Sequence, residues 1–364
     1  MGTKPVRLID LARAANVSIA TASQVMNGSG RVAPATRQRV FETAERLDYR
    51  PNALARSVAS GRSNTVGVLA ENASGAFCMP VLVGANRALS DVDLASTLYD
   101  AAHDRRLRRE HVRRLQSRHV DGVVVLGEGT DFQSISVSHE FTGPVVYALS
   151  RSDDPADTSV LPDDAHAGVL AAQHFVEIGR SRILHVTAES GLNSVRDRER
   201  GLRETLKANG LELAAPVLYG EFRREWGFEA TRRIVAEGLE YDAIFAGNDE
   251  IAIGLYAQLL ASGVRVPDDV AIIGVDNAAG MAASNEGFLT SVDLRFDAVG
   301  SAAVDLVVSR LEAAETAGAA TSPEGSDAAA DAVNRTVPGM LVTGRSTLGG
   351  PPSTRSLVLE ALIG

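Results

Sequence analysis

At 364 residues the chain is too long for one ordinary domain, and its 45% hydrophobic content supplies side chains for two or three cores. Residues 1–62 carry ten Lys and Arg against four Asp and Glu while the whole chain stands at −10, so phosphate binding is confined to a basic head on an acidic body. A single cysteine, Cys78, excludes an internal disulfide framework, and no apolar run approaches the roughly 20 residues of a membrane helix. The start also lacks the charged-then-apolar pattern of an export signal, so a soluble, cytoplasmic protein with no membrane partner is expected.

Residues 7–30, RLIDLARAANVSIATASQVMNGSG, read as two short helices about a tight turn. Leu8, Leu11, Ala12 and Ala15 fall on one helical face, and Asn16 tolerates the left-handed geometry that ends it. Ser18 is the N-cap candidate of the second helix. Burying Val17, Ala22 and Val25 leaves Ile19, Ala20, Thr21, Ser23, Gln24 and Asn27 outward, short polar and methyl groups suited to base edges and phosphates. Two helices joined this way form a helix-turn-helix whose second member enters the major groove. A third amphipathic helix over Pro34–Leu47 brings Val40, Phe41, Ala44 and Leu47 to close the core, and Pro51 ends it.

From TASQVMNGSGRVAPATRQRVFETAERLDYRPNALARSVASGRSNTVGVL onward the chain resembles the lactose-repressor (LacI/GalR) family: a TVSRVLN-like recognition helix, a YxPN turn, an ARSL-type hinge and a GRTxxIGV strand, in that order. NDEIAIG, VPDDVAIIGVDN and LTSV extend the likeness over nearly the whole length. The resemblance implies an all-α helix-turn-helix head (residues 1–50), a hinge helix and linker (51–64), a two-lobed periplasmic-binding-protein-like α/β core (65–347) and a tail (348–364). It also implies a homodimer on double-stranded operator DNA, with Asn52, Ala55, Arg56 and Val58 of the hinge and Arg31 added to the DNA-contacting set from Ser18 to Asn27. Val58 stands where the family usually has the leucine that wedges into the minor groove. The other reading of residues 52–60 is a passive linker.

Beyond Thr65 short apolar runs (TVGVLA, STLYD, DGVVVLG, GPVVYAL, RILHVT, AIFAG, VAIIGVD) alternate with helical stretches, the pattern of parallel strands covered on both faces. Two such Rossmann-like subdomains place a ligand between the carboxyl ends of their strands. Chain crossings between them are expected near 148–162, near 277–292 and late in the chain. The arginine-rich stretch Ala102–His119 reads as a solvated helix anchored by Leu107, Val112 and Leu115; residues 313–334 read as a flexible insertion, followed by one strand in 338–347. The closing SLVLEALIG is too short for a coiled-coil tetramer.

By resemblance, Asn248 and Asp276 match the amide and carboxylate that hold sugar hydroxyls, and Arg196 or Arg198 the arginine that meets them from the facing loop; a fork of donors opposite an acceptor pair suits vicinal hydroxyls. Phe77, Phe222 and Trp226 offer aromatic faces, Trp226 with helix packing as the equal alternative. Arg151 and Asp163 either touch ligand or bridge the subdomains. No Gly-rich phosphate loop, HExxH, His/Cys cluster or GxSxG elbow is present, and Cys78 has no partnering base, so no catalytic residue, metal or cofactor is expected. The rival without DNA, a periplasmic-type sugar receptor, leaves residues 1–60 without a purpose.

Overall fold

The computed structural model describes residues 6–28, 30–50, 61–277, 287–319 and 334–349; the hinge positions Asn52, Ala55, Arg56 and Val58 and the closing SLVLEALIG lie outside them. The chain divides into two units, residues 1–64 and 65–364.

In the first unit, α1 (Leu8–Ala14), α2 (Ile19–Met26) and α3 (Pro34–Arg46) bury Leu11, Ala15, Val25, Val40 and Ala44 together. Asn16 takes φ 52° at the turn, and the Ser18 hydroxyl accepts the Thr21 amide at 3.0 Å to cap α2. Arg39 Nε donates to the Ala15 carbonyl, 3.1 Å away, and so ties α3 to the end of α1. Phe41 does not join this core: it is 40% exposed, because Val40 and Ala44 set the buried stripe and the next residue lies about 100° around the helix. Thr43 is buried instead.

The second unit holds two six-stranded sheets. The first contains β1 (Thr65–Ala70), β2 (Ala95–Asp100), β3 (Gly122–Leu126), β5 (Val145–Ala148), β7 (Thr158–Pro162) and β13 (Arg335–Val337), all parallel, in the order β13-β7-β5-β3-β1-β2. A small side sheet pairs β4 (Gln133–Ser134) with β6 (Arg151–Ser152). The second large sheet runs β14-β12-β11-β10-β8-β9 from β8 (Ile183–Ala188), β9 (Leu218–Gly220), β10 (Ala243–Ala246), β11 (Ala271–Asp276), β12 (Thr290–Asp293) and β14 (Met340–Val342), parallel except for the β12–β14 pair. β1, β3, β5, β7, β8, β10 and β11 are buried along nearly their whole length, as strands sandwiched between helical layers must be.

The first two crossings fall at the far ends of the expected ranges. The chain leaves the first sheet only after β7 and the second only after β12, because each sheet gains one more parallel strand before release. The strand expected in 338–347 is β14, and a further short strand, β13, ends just before it at Val337; the two join different sheets, so the third crossing passes between them.

Three long helices flank the first lobe: α4 (Cys78–Asp91), α5 (Arg105–Ser117) and α10 (Phe296–Ala319). On α5, Leu107 is 36% exposed while Arg108 and His111 are buried beside Val112 and Leu115, since Arg108 Nη1 reaches Glu71 Oε1 at 3.3 Å and Nη2 donates to the Ile135 carbonyl. Residues 313–319, expected to open a flexible insertion, continue α10, as an alanine-rich stretch following a packed helix favours.

The second lobe is covered by α6 (Asp164–Glu177), α7 (Asn193–Ala208), α8 (Arg224–Ala236) and α9 (Asp249–Ala261). α6 and α7 touch through Gly168 and Gly201: a Cβ on Gly168 would lie 2.0 Å from the Arg198 carbonyl oxygen, and one on Gly201 2.0 Å from that of Ala165. This contact of backbones sets where Arg198 stands. Gly168→Ala must part the helices, and a loss of about 1–3 kcal/mol is expected in urea unfolding. Gly191→Ala, where an added Cβ meets nothing within 4 Å, is the control and should change stability by less than about 0.5 kcal/mol.

Candidate effector cleft and DNA-reading head

A cavity of about 540 Å³ opens at the carboxyl ends of both sheets, the place where parallel α/β sheets receive ligands. Five of the seven residues expected there line it: Phe77, Arg198, Phe222, Asn248 and Asp276. Asn248 follows β10, and its Oδ1 accepts the Ile251 amide at 2.9 Å as the cap of α9, which holds the rest of the amide at the cleft wall. Asp276 ends β11 with φ 110°, a left-handed backbone that turns the chain sharply at the wall.

Arg196 does not line the cavity. It is exposed and donates to the Gly191 carbonyl at 3.1 Å and to Asn193 Oδ1 at 2.5 Å. Two residues along a helix is about 200°, so Arg196 and Arg198 must face opposite ways, and Arg198 is the buried one. Trp226 is core as well: its indole N–H donates to the Thr187 carbonyl at 2.9 Å and its ring packs among Leu184, Val186 and Ile251. Asp163 caps α6 by accepting the His166 amide at 2.9 Å, and neither it nor Arg151 reaches the cavity. Cys78 is fully buried, its thiol pushed up to about 11 by burial, so the thiolate a nucleophile needs is disfavoured.

Arg198, Asn248 and Asp276 all belong to the second lobe, which corrects the expectation that the arginine comes from across the cleft. Arg198 Nε and Nη2 each lie 2.8 Å from Asp164 Oδ1, and Nη1 donates to the Gly247 carbonyl at 2.5 Å. Asp276 Oδ1 is 3.8 Å from Arg198 Nη2, and the guanidinium carbon stands 5.9 Å from the centre of the Phe222 ring. The facing wall is made by Phe77, stacked on Phe296 at 4.6 Å, and by the Glu128–Phe132 loop, which the sequence reading did not single out. Asp131 on that loop accepts both the amide (3.0 Å) and the hydroxyl (2.5 Å) of Ser194 at the start of α7, joining the lobes at the mouth of the cleft.

Burial raises Asp276 to about 7 against the pull of Arg198, and burial with the nearby Asp276 charge raises Asp249 to about 8. Asp249 accepts from the Ser291 hydroxyl at 2.7 Å and the Asn277 amide at 3.0 Å. Above its ordinary 3.8 and below about 8, Asp249 holds a proton in the folded chain that the unfolded chain has lost, so this group's contribution to stability declines as pH rises. Burial presses His185 down to about 4, which gives the opposite slope, but only at lower pH. Stability should therefore fall between about pH 6.5 and 8, and Asp249→Asn should flatten that fall. An equal slope in both proteins would show that Asp249 is ionised throughout.

In the first unit, Ile19 is 48% exposed, with Ala20, Gln24, Asn27 and Arg31 exposed and Thr21 and Ser23 half-buried. The Ser18 and Thr21 hydroxyls are 2.8 Å apart, and Asn27 Nδ2 donates to Ser23 Oγ at 3.3 Å.

Residues 7–52 match the bacterial regulatory proteins of the lacI family, and residues 63–324 match the periplasmic binding proteins and sugar binding domain of the same family. The chain belongs to the LacI family. This LacI-family protein is 32% identical over 284 residues to catabolite control protein A of Priestia megaterium, covering 75% of this chain and 82% of that one. Its fold is similar to that of the lac repressor dimer bound to operator and the anti-inducer ONPF, with a TM-score of 0.64 at 22% identity, covering 94% of this chain and 99% of that one. It is also similar to the transcriptional regulator CelR–cellobiose complex, with a TM-score of 0.57 at 27% identity and the same two coverages. Like its relatives, this LacI-family chain is a DNA-binding transcriptional regulator with an effector-binding core. Among the described residues, no helix is long and apolar enough to cross a membrane.

Proposed function

We propose that the protein is a cytoplasmic repressor, not an enzyme, that binds a pseudo-palindromic operator as a homodimer and is switched by a carbohydrate between its lobes. The observation that carries this reading is the pairing, in one chain, of an outward-facing helix of small polar and methyl side chains with a cleft where Arg198, Asn248 and Asp276 converge. Phe77 and Phe222 supply apolar faces against which a sugar ring packs, while the carboxylate and amide take its hydroxyls. CelR binds cellobiose in its complex, which supports a sugar-sized ligand here.

Within the head, Ile19, Ala20 and Gln24 carry the base discrimination. Glutamine prefers adenine N6 and N7 whereas arginine prefers guanine O6 and N7, so Gln24→Arg should move the preference at one symmetric operator position, with each contact worth about 1–3 kcal/mol. Selection from randomised duplexes with both proteins tests this; the same motif from both would remove Gln24 from the readout, and no enriched motif from the parent protein would remove the operator itself.

A further inference from the structure

The charge on the cleft wall narrows the ligand further. Among the described residues, the cavity is lined by four carboxylates, Glu128, Asp131, Glu250 and Asp276, and by one cation, Arg198. That cation is largely committed within the protein: three of its five N–H groups go to Asp164 and the Gly247 carbonyl, and the Asp164 side chain is only 1% exposed. Glu250 is balanced from outside the cavity by Arg224, through contacts of 3.0 and 3.1 Å. Glu128 holds the Asn72 amide at 2.9 Å and lies 3.3 Å from His103, and Asp131 holds Ser194. Residues 278–286, which follow Asp276 in the chain, include no Lys or Arg.

The rest of the wall is apolar. Four phenylalanines, Phe77, Phe132, Phe222 and Phe296, line the cavity, and its roughly 540 Å³ falls inside the range of about 300–1,000 Å³ typical of drug-sized ligands. Vicinal hydroxyls satisfy the carboxylates and the Asn248 amide, and aromatic faces accept either a flat apolar group or a cation. A phosphate or carboxylate on the ligand would lose its hydration and meet like charge, and among the described residues the one lining arginine is already engaged by Asp164.

Resting on the carbohydrate reading above, the geometry points to an effector that is an uncharged or cationic polyol carrying an aromatic or other flat apolar group, with anionic sugars rejected. In the first lobe, specificity by exclusion of this kind is set by Glu128 and Asp131, which stand across the cleft from Asp276.

The test is calorimetric titration of the full-length protein with 4-nitrophenyl hexosides of gluco, galacto and manno configuration, each beside its free hexose and its 6-phosphate, 6-carboxylate and 6-amino forms. For the configuration that binds, the nitrophenyl glycoside should exceed the free hexose by at least about tenfold, or about 1.4 kcal/mol. The phosphate and the carboxylate should fall below their neutral parent by a similar factor, and the 6-amino form should not. Glu128→Gln and Asp131→Asn should each narrow the ratio of neutral to phosphorylated ligand. A phosphate or carboxylate that binds as tightly as its parent overturns charge exclusion while the carbohydrate reading stands; equal binding of free hexose and nitrophenyl glycoside overturns the apolar subsite. If no member of the panel binds, neutral or charged, the carbohydrate reading itself fails.

Discussion

Arg198→Met is expected to lower the free energy of unfolding by about 3–5 kcal/mol, the usual cost of leaving one member of a buried ion pair alone. Asp164 sits at the first position of α6 with 1% of its side chain exposed, and its Oδ2 already has no hydrogen-bond partner among the described residues, so without Arg198 it is a carboxylate in a core. The Gly247 carbonyl loses its donor in the same step. Replacing both members, Arg198→Met with Asp164→Leu, should recover much of the loss, because an apolar pair of similar volume is often as stable as the ion pair it replaces. Urea unfolding of the four proteins gives the coupling energy directly. A loss below about 1 kcal/mol in the single variant would mean that Asp164 finds water or a proton, and that the cleft wall does not depend on this pair.

Asp276→Asn is expected to weaken effector binding about tenfold to a hundredfold, the range of a hydrogen bond to a charged group, while changing operator affinity without effector by less than about twofold. The asparagine fills the same space at the end of β11, and the residue belongs to the second unit of the chain, whereas the residues proposed to read DNA belong to the first. The raised pKa of Asp276, about 7, makes the comparison more informative. If ligand hydroxyls donate to the ionised carboxylate, the affinity of the parent protein should climb as pH rises through about 7 and that of the variant should stay level. Operator band shifts with and without the glycosides separate the outcomes. A variant that still responds at parental concentrations places the pocket elsewhere; one that loses operator binding outright makes Asp276 a structural residue.

The sequence alone was enough for the three helices of the head and for the longer buried strands. Asn16 and Ser18 specify the turn and cap by local chemistry, and the spacing of Leu11, Ala15, Val25, Val40 and Ala44 determines which faces are buried. Continuous apolar runs likewise mark β1, β3, β5, β8, β10 and β11, because a strand covered on both faces leaves that mark whatever its neighbours are. The short strands β4, β6, β9 and β13 carry no such mark, since their pairing depends on partners far along the chain.

What only the tertiary structure decided is which polar groups meet. Motif matching could not choose between Arg196 and Arg198; the register of α7 against α6, set where Gly168 and Gly201 bring the two backbones together, turns Arg198 inward and Arg196 to solvent. The same holds for Trp226, drawn into the core because its N–H reaches the Thr187 carbonyl. Glu128 and Asp131 lie in a loop without any local signature, and they reach the cleft only because β3 ends opposite the start of α7. Periodicity and capping are written within a few residues of chain, whereas the charge of a cleft is summed over segments more than a hundred residues apart, and folding alone brings those together.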